Sequence, residues 1–232
     1  MVLLDRAFED CLERLRDISR PFTRAMLIGC PSPDWPTNLA GLAADVDVFE
    51  PGPLFARLAR GRRIEEDRFD YGAGHYDVCV AVGTLDTVNN LPLALGLIGR
   101  ALKPDAPLIG ALAGGNSLPT LRACLIEAGR QQGRIAARTH PRIEPNMLAQ
   151  LLASAGFKMP VVDIDRVRLR YKDLGALVRD LRSMAATSVL AERPQPVTKS
   201  EFQRACQAFE ARSRDGRTEE TVEILHFLAW TE

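Results

Sequence analysis

The chain has 232 residues, 46% hydrophobic and 26% charged, enough to bury a core without a disulfide or metal staple, which excludes disorder as its main state. Thirty basic residues balance thirty acidic ones, so the basic excess behind non-specific nucleic-acid binding is missing. Five widely spaced cysteines (Cys11, Cys30, Cys79, Cys124 and Cys206) without a Cys-x-x-Cys, and no apolar run near the ~18 residues that span a bilayer, point to a soluble cytoplasmic protein with reduced, buried thiols.

In chain order, Leu4, Phe8, Cys11, Leu12 and Leu15 sit at helical spacing in an amphipathic opening helix over 3–18, stopped by Pro21. The apolar run 25–30 reads as a buried strand entering the turn-rich stretch Pro31-Ser32-Pro33-Asp34-Trp35-Pro36. A second strand, 45–49, ends at Glu50-Pro51-Gly52-Pro53, and a short helix is expected over 54–60. Strand 76–82 runs into Gly83, helix 91–102 stops at Lys103-Pro104-Asp105, and strand 107–112 closes at Gly114-Gly115-Asn116. Asn116 is expected to cap a helix over 118–128. Helices over 145–155, 174–185 and 199–212 and strands over 161–169 and 222–230 complete the pattern, with a loop at 188–197. Strand–helix alternation through the first 110 residues argues for a parallel sheet covered on both faces. No linker divides the chain, so 1–232 is expected to form a single domain around a nucleotide-binding-type core, 25–116.

In an open parallel sheet, ligands sit beyond the carboxyl ends of the strands. The first such end is Gly29-Cys30, where glycine permits close backbone approach, although this loop has one glycine and two prolines. Glu50 ends the second strand about twenty residues on, where a carboxylate can accept both hydroxyls of a ribose; the alternative is an exposed acid before a Pro-Gly turn. Asp67, preceded by Glu65 and Glu66, suits an adenine amino group or belongs to a solvated acidic run. After Val82 and Gly83, Thr84, Asp86 and Asn89 stand near the pocket mouth. His75, His140 and His226 are isolated and read as structural, with no pair at metal-ligand spacing. Without a Gly-x-Ser-x-Gly elbow or a Walker loop, hydrolase and NTPase readings also fall away.

Several longer stretches carry a family signature. They are Thr87-Val88-Asn89-Asn90-Leu91-Pro92 leading to Ala94-Leu95, Ala101-Leu102-Lys103-Pro104-Asp105, Ile109-Gly110-Ala111 with Gly114-Gly115, and Ser117-Leu118 with Leu121-Arg122. Further on come Leu151-Leu152-Ala153-Ser154-Ala155-Gly156-Phe157, Val162-Asp163-Ile164-Asp165, Tyr171, Leu177-Val178-Arg179-Asp180-Leu181, Asp215-Gly216-Arg217 and Glu223-Ile224 through Trp230. With the element order, this resembles the class I S-adenosylmethionine-dependent methyltransferases, in the branch of complex I assembly factor five and the biotin-synthesis-like methyltransferases.

The resemblance implies an α/β fold, Rossmann-like and doubly wound, with a mostly parallel seven-stranded sheet whose last strand is antiparallel, and a lid-like helical region over 166–212. It implies S-adenosylmethionine at the carboxyl edge, near Gly29, Cys30, Val82 and Gly83, with the ribose acid on Glu50 and an adenine contact on Asp67. If the acceptor must lose a proton, Asp86 is the base within reach. The family's first loop is an acid followed by Gly-Cys-Gly-x-Gly. Here Ile28 stands at the acid and Pro31 and Pro33 at the later glycines, and proline has no N–H to offer the methionine carboxylate. The expected function is methyl transfer to a small-molecule or protein acceptor. The alternative is a non-catalytic or altered assembly factor for a respiratory complex, including one that modifies a protein arginine. Neither a nucleic-acid partner nor a membrane span is expected.

Overall fold

A computed structural model describes residues 2–130, 142–187 and 195–232. Its elements are α1 (Val2–Arg16), β1 (Phe22–Ile28), α2 (Trp35–Leu39), β2 (Ala43–Glu50), α3 (Pro53–Leu58), β3 (Arg62–Arg63), β4 (Val78–Val82), α4 (Leu91–Ala101) and β5 (Pro107–Ala113). They continue as α5 (Pro119–Arg130), α6 (Pro145–Ser154), β6 (Lys158–Tyr171), α7 (Leu174–Ser183), α8 (Lys199–Glu210) and β7 (Thr218–Trp230). The seven strands lie in the order β3-β2-β1-β4-β5-β7-β6. β1 pairs in parallel with β2 and β4, β4 with β5, and β7 runs antiparallel to β5 with Ile109 opposite Leu228. This is the doubly wound α/β sheet with an antiparallel last strand. The strand order reverses between β1 and β4, where such sheets bind ligands.

The described residues divide into two compact units, one within Met1–Ala113, Ile143–Asp165 and Ile224–Glu232, the other within Gly114–Arg142 and Arg166–Glu223. Two of the four boundaries fall inside strands, β6 and β7, where no shift in composition marks them. In the first unit every residue of β4 is buried, as expected of a central strand flanked on both sides. The core joins Met26, Ile28, Phe49, Leu95, Ile98, Leu108 and Phe227. Of the apolar stripe of α1, Phe8, Cys11, Leu12 and Leu15 are buried as their spacing predicts and Leu4 is half-buried, and the helix packs on β4 and β5. Phe8 of α1 stacks on Trp35 with ring centroids 4.2 Å apart, and the Trp35 indole N–H donates to Asp5 at 3.0 Å. That packing explains a helix in a stretch read as turn: Trp35 is buried, and Pro36 sits in the first turn, where its missing N–H costs nothing. Buried His226 lies 2.9 Å from Asp10, and desolvation holds its imidazole below the ordinary value against the pull of the Asp10 charge.

In the second unit Leu121, Cys124, Leu174, Leu177 and Phe209 form the core of α5, α7 and α8. Asn116 does not cap α5. Its amide groups turn to the Glu223 carboxylate at 3.4 Å, while the Thr120 and Leu121 amides are met by Glu220 at 3.1 and 2.7 Å. A buried carboxylate carries charge to the helix start and outcompetes a short neutral amide there. α8 opens on a capping box, with Thr198 accepting from the Glu201 amide and Glu201 accepting from the Thr198 amide. Thr198→Ala is expected to cost about 1 kcal/mol, read as a lower urea midpoint at unchanged slope. The loop read over 188–197 lies partly, and His140 wholly, outside the described residues. Among the described residues no helix is long and apolar enough to cross a membrane.

Candidate functional site

The carboxyl edge of the first unit is built around the end of β1. There the chain turns on Gly29, at a φ of +80° that glycine adopts without a steric penalty. Its amide donates to the Phe49 carbonyl at 2.9 Å. A Cβ at this position would lie 2.3 Å from the Val82 carbonyl oxygen and 2.8 Å from the Thr84 methyl. The glycine therefore meets the end of β4 at close range, whatever else the loop holds.

Cys30 follows, and its amide donates to Glu50 Oε2 at 2.5 Å, while the Gly52 amide donates to Oε1 at 2.6 Å. Glu50, the last residue of β2, is 2% exposed. Burial pushes its carboxyl above the ordinary range, and the two amides pull it back. Each carboxylate oxygen retains a second lone pair, so two hydroxyl donors can still be accepted. The Cys30 thiol turns to the Ser32 carbonyl at 3.2 Å. Burial first, then the Glu50 charge, pushes that thiol up to about 12, which makes it a neutral group and no nucleophile.

The amides of loop 29–35 can be accounted for one by one. Gly29 donates to Phe49, Cys30 to Glu50, Asp34 to the Ser32 hydroxyl at 3.3 Å and Trp35 to the Ser32 carbonyl at 3.3 Å. Pro31 and Pro33 have no N–H. Among the described residues, Ser32 alone in this loop has an amide with no internal acceptor.

Asp67 is buried ahead of β4, and its Oδ2 accepts from the Asn90 amide at 3.1 Å. Asn90 in turn caps α4 by accepting from the Leu93 amide, so Asp67 steadies that helix start. Glu66 is buried beside it. Desolvation raises the Glu66 carboxyl; the Glu50 and Asp67 charges raise it further, against the facing Thr84 hydroxyl, which pulls it down. Val82 ends β4, and Gly83, at a φ of +74°, seats against a Leu4 methyl of α1. Asp86 lies half-buried on the 3₁₀ turn Leu85–Thr87 that follows.

The structure thus brings Gly29, Cys30, Glu50 and Val82 into one contact set, with Asp67 in electrostatic range through Glu66. Gly83 and Asp86 stand on the next turn. Glu66 is the member that sequence reasoning passed over. It sits in a turn between two other acids, and only its burial distinguishes it from exposed Glu65. Among the described residues these acids are not placed to share a metal ion.

A carboxyl raised on folding contributes stability below its unfolded value and loses it as pH climbs through the folded one. Glu66→Gln keeps the uncharged form. Its melting temperature is expected to gain on the parent progressively from about pH 4.5 upward, and a difference constant with pH in scanning calorimetry would contradict this.

No protein-family model matches the chain. Over 94% of its length it is 28% identical to the mitochondrial arginine-hydroxylase NDUFAF5 of Mus musculus, covering 67% of that protein. Over 71% it is 28% identical to a malonyl-[acyl-carrier protein] O-methyltransferase of a Methylovorus strain, covering 54% of that enzyme. Among solved structures it superposes on a Bacillus halodurans protein assigned as a methyltransferase. The TM-score is 0.64 at 13% identity, over 94% of this chain and 97% of that one.

Proposed function

We propose, from the premise that this chain is a class I methyltransferase-fold protein of the branch shared with NDUFAF5 and the malonyl-carrier methyltransferases, that it binds S-adenosylmethionine at the carboxyl edge of β1 and β2 and transfers its methyl group. The observation that carries the reading is Glu50. It ends β2 with each oxygen steadied by one backbone amide and each with a lone pair left for a ribose hydroxyl. Asp67 and Glu66 extend the acidic wall toward where an adenine amino group would lie.

The residues fit the two halves of the cofactor unequally. The nucleoside half meets a preorganised carboxylate. The amino-acid half meets a loop whose amides are absent or engaged, Ser32 excepted. When bound, the cofactor supplies an electrophilic methyl group, and the chain's own task is to hold and align the partners and exclude water. Asp86 is the group proposed to take a proton from an acceptor that must lose one. That acceptor is a small molecule or a protein side chain.

One observation favours the second reading, an assembly factor that keeps the fold without the transfer. Glu50, Glu66 and Asp67 are all buried by the chain itself. Kinship to NDUFAF5 fits that role, with a respiratory-complex subunit as partner. Thermal unfolding with and without S-adenosylmethionine and S-adenosylhomocysteine separates the two. Ligand at about a hundred times its Kd adds ~2.7 kcal/mol, and in a chain of this size that moves the midpoint by roughly 5–10 °C. The enzyme reading predicts that shift. No shift with either ligand at millimolar concentration would leave the assembly role.

A further inference from the structure

We infer that the carboxyl edge of β1 and β2 selects adenosine ligands that carry no carboxylate or phosphate, so that the amino-acid portion of S-adenosylmethionine adds nothing to its affinity. The inference rests on the reading of Glu50 as a ribose contact and names what that site prefers.

Two independent observations support it. The first is the supply of donors. An anionic group beside β1 must be held by backbone N–H groups or by cationic side chains. In loop 29–35 two of seven residues are prolines, four amides are spent on Phe49, Glu50 and Ser32, and the Ser32 amide remains. One amide cannot grip a carboxylate as a ring of them does.

The second is the sign of the surrounding charge. Glu50, Glu66 and Asp67 are buried together, and among the described residues none of them ion-pairs with a basic side chain. In the sheet register Glu50 lies opposite Arg63 of β3, which is exposed and makes no ion pair with it among the described residues, and the neighbouring Arg62 lies over the Phe69 ring, 4.5 Å from its centroid. A wall of uncompensated carboxylates repels an anionic substituent and accepts hydrogen bonds from ribose hydroxyls and an exocyclic amine. A hydroxyl completes this wall. Tyr71, 6% exposed, holds a buried oxygen with no partner among the described residues. It lies within range of the Glu66 and Asp67 charges and can serve a neutral polar ligand as donor or acceptor.

The test is calorimetric titration of the full chain, at one ionic strength, with S-adenosylhomocysteine, 5′-methylthioadenosine, adenosine and adenosine 5′-monophosphate. Methylthioadenosine, which shares the thioether of S-adenosylhomocysteine and lacks its amino acid, is expected to bind within threefold of it or more tightly. The monophosphate is expected to bind at least tenfold more weakly than adenosine. S-adenosylhomocysteine more than threefold tighter than methylthioadenosine, or a monophosphate penalty under tenfold, would overturn the inference while leaving adenosyl binding intact. Binding by none of the four would remove both the inference and the reading beneath it. Pro31→Gly/Pro33→Gly, which restores two amides, is expected to raise the affinity for S-adenosylhomocysteine relative to methylthioadenosine at least tenfold. An unchanged ratio in the folded variant would show that the loop does not set the preference.

Discussion

Gly29→Ala is expected to lower the melting temperature of the unliganded protein by roughly 6–12 °C, at 2–4 °C per kcal/mol for a chain of this length. Two costs combine. Alanine at a φ of +80° pays the penalty of a left-handed backbone, about 1–2 kcal/mol. Its methyl would also stand 2.3 Å from the Val82 carbonyl oxygen, well inside contact distance. Relief requires moving the end of β4, which the ladder pins at Ile28↔Ala81. A total of about 3 kcal/mol or more is expected, in the upper range for single substitutions. The effect needs no ligand. An unliganded melting temperature within 2 °C of the parent, with ligand binding lost, would return Gly29 to the role of a ligand loop alone.

Glu50→Ala is expected to destabilise by about 2–4 kcal/mol, because it strips the acceptor from two backbone amides, each costing about 1–3 kcal/mol when buried and unsatisfied. Removing a carboxylate whose own burial is unfavourable offsets part of this. Glu50→Gln keeps an oxygen for one amide and sheds the charge, so its loss is expected to be smaller. Urea unfolding of the two variants decides the matter. Equal stability of Glu50→Ala and the parent would mean that the Cys30 and Gly52 amides find other acceptors, and that Glu50 does not organise the edge.

The sheet was legible because its central strands are unbroken apolar runs bounded by glycine and proline; β4 and β5 coincide with such runs. Six of the seven strands can be read from the residues. β3 cannot, since Arg62 and Arg63 are exposed and polar and are held only by pairing with Phe49 and Glu50 of β2. The seventh strand came from the family resemblance. α2 was hidden by the prolines around it, because the stacking of Trp35 on Phe8 is a tertiary contact with a residue far back in the chain. Spacing alone placed Glu50 at a strand end. It could not show that the carboxylate takes the Cys30 amide, since hydrogen bonds between residues twenty apart leave no local pattern. The same limit misassigned Asn116, whose partner Glu223 is 107 positions away.

In the proposed site Glu50 holds the ribose of an adenosyl ligand. Titration calorimetry of S-adenosylhomocysteine into the parent and into Glu50→Gln, both verified as folded by circular dichroism, tests it most directly. Saturable binding to the parent, weakened at least tenfold in Glu50→Gln, is the expected result. Equal affinity in both would take Glu50 out of the site, and no saturable heat with the parent would take the ligand out of the protein.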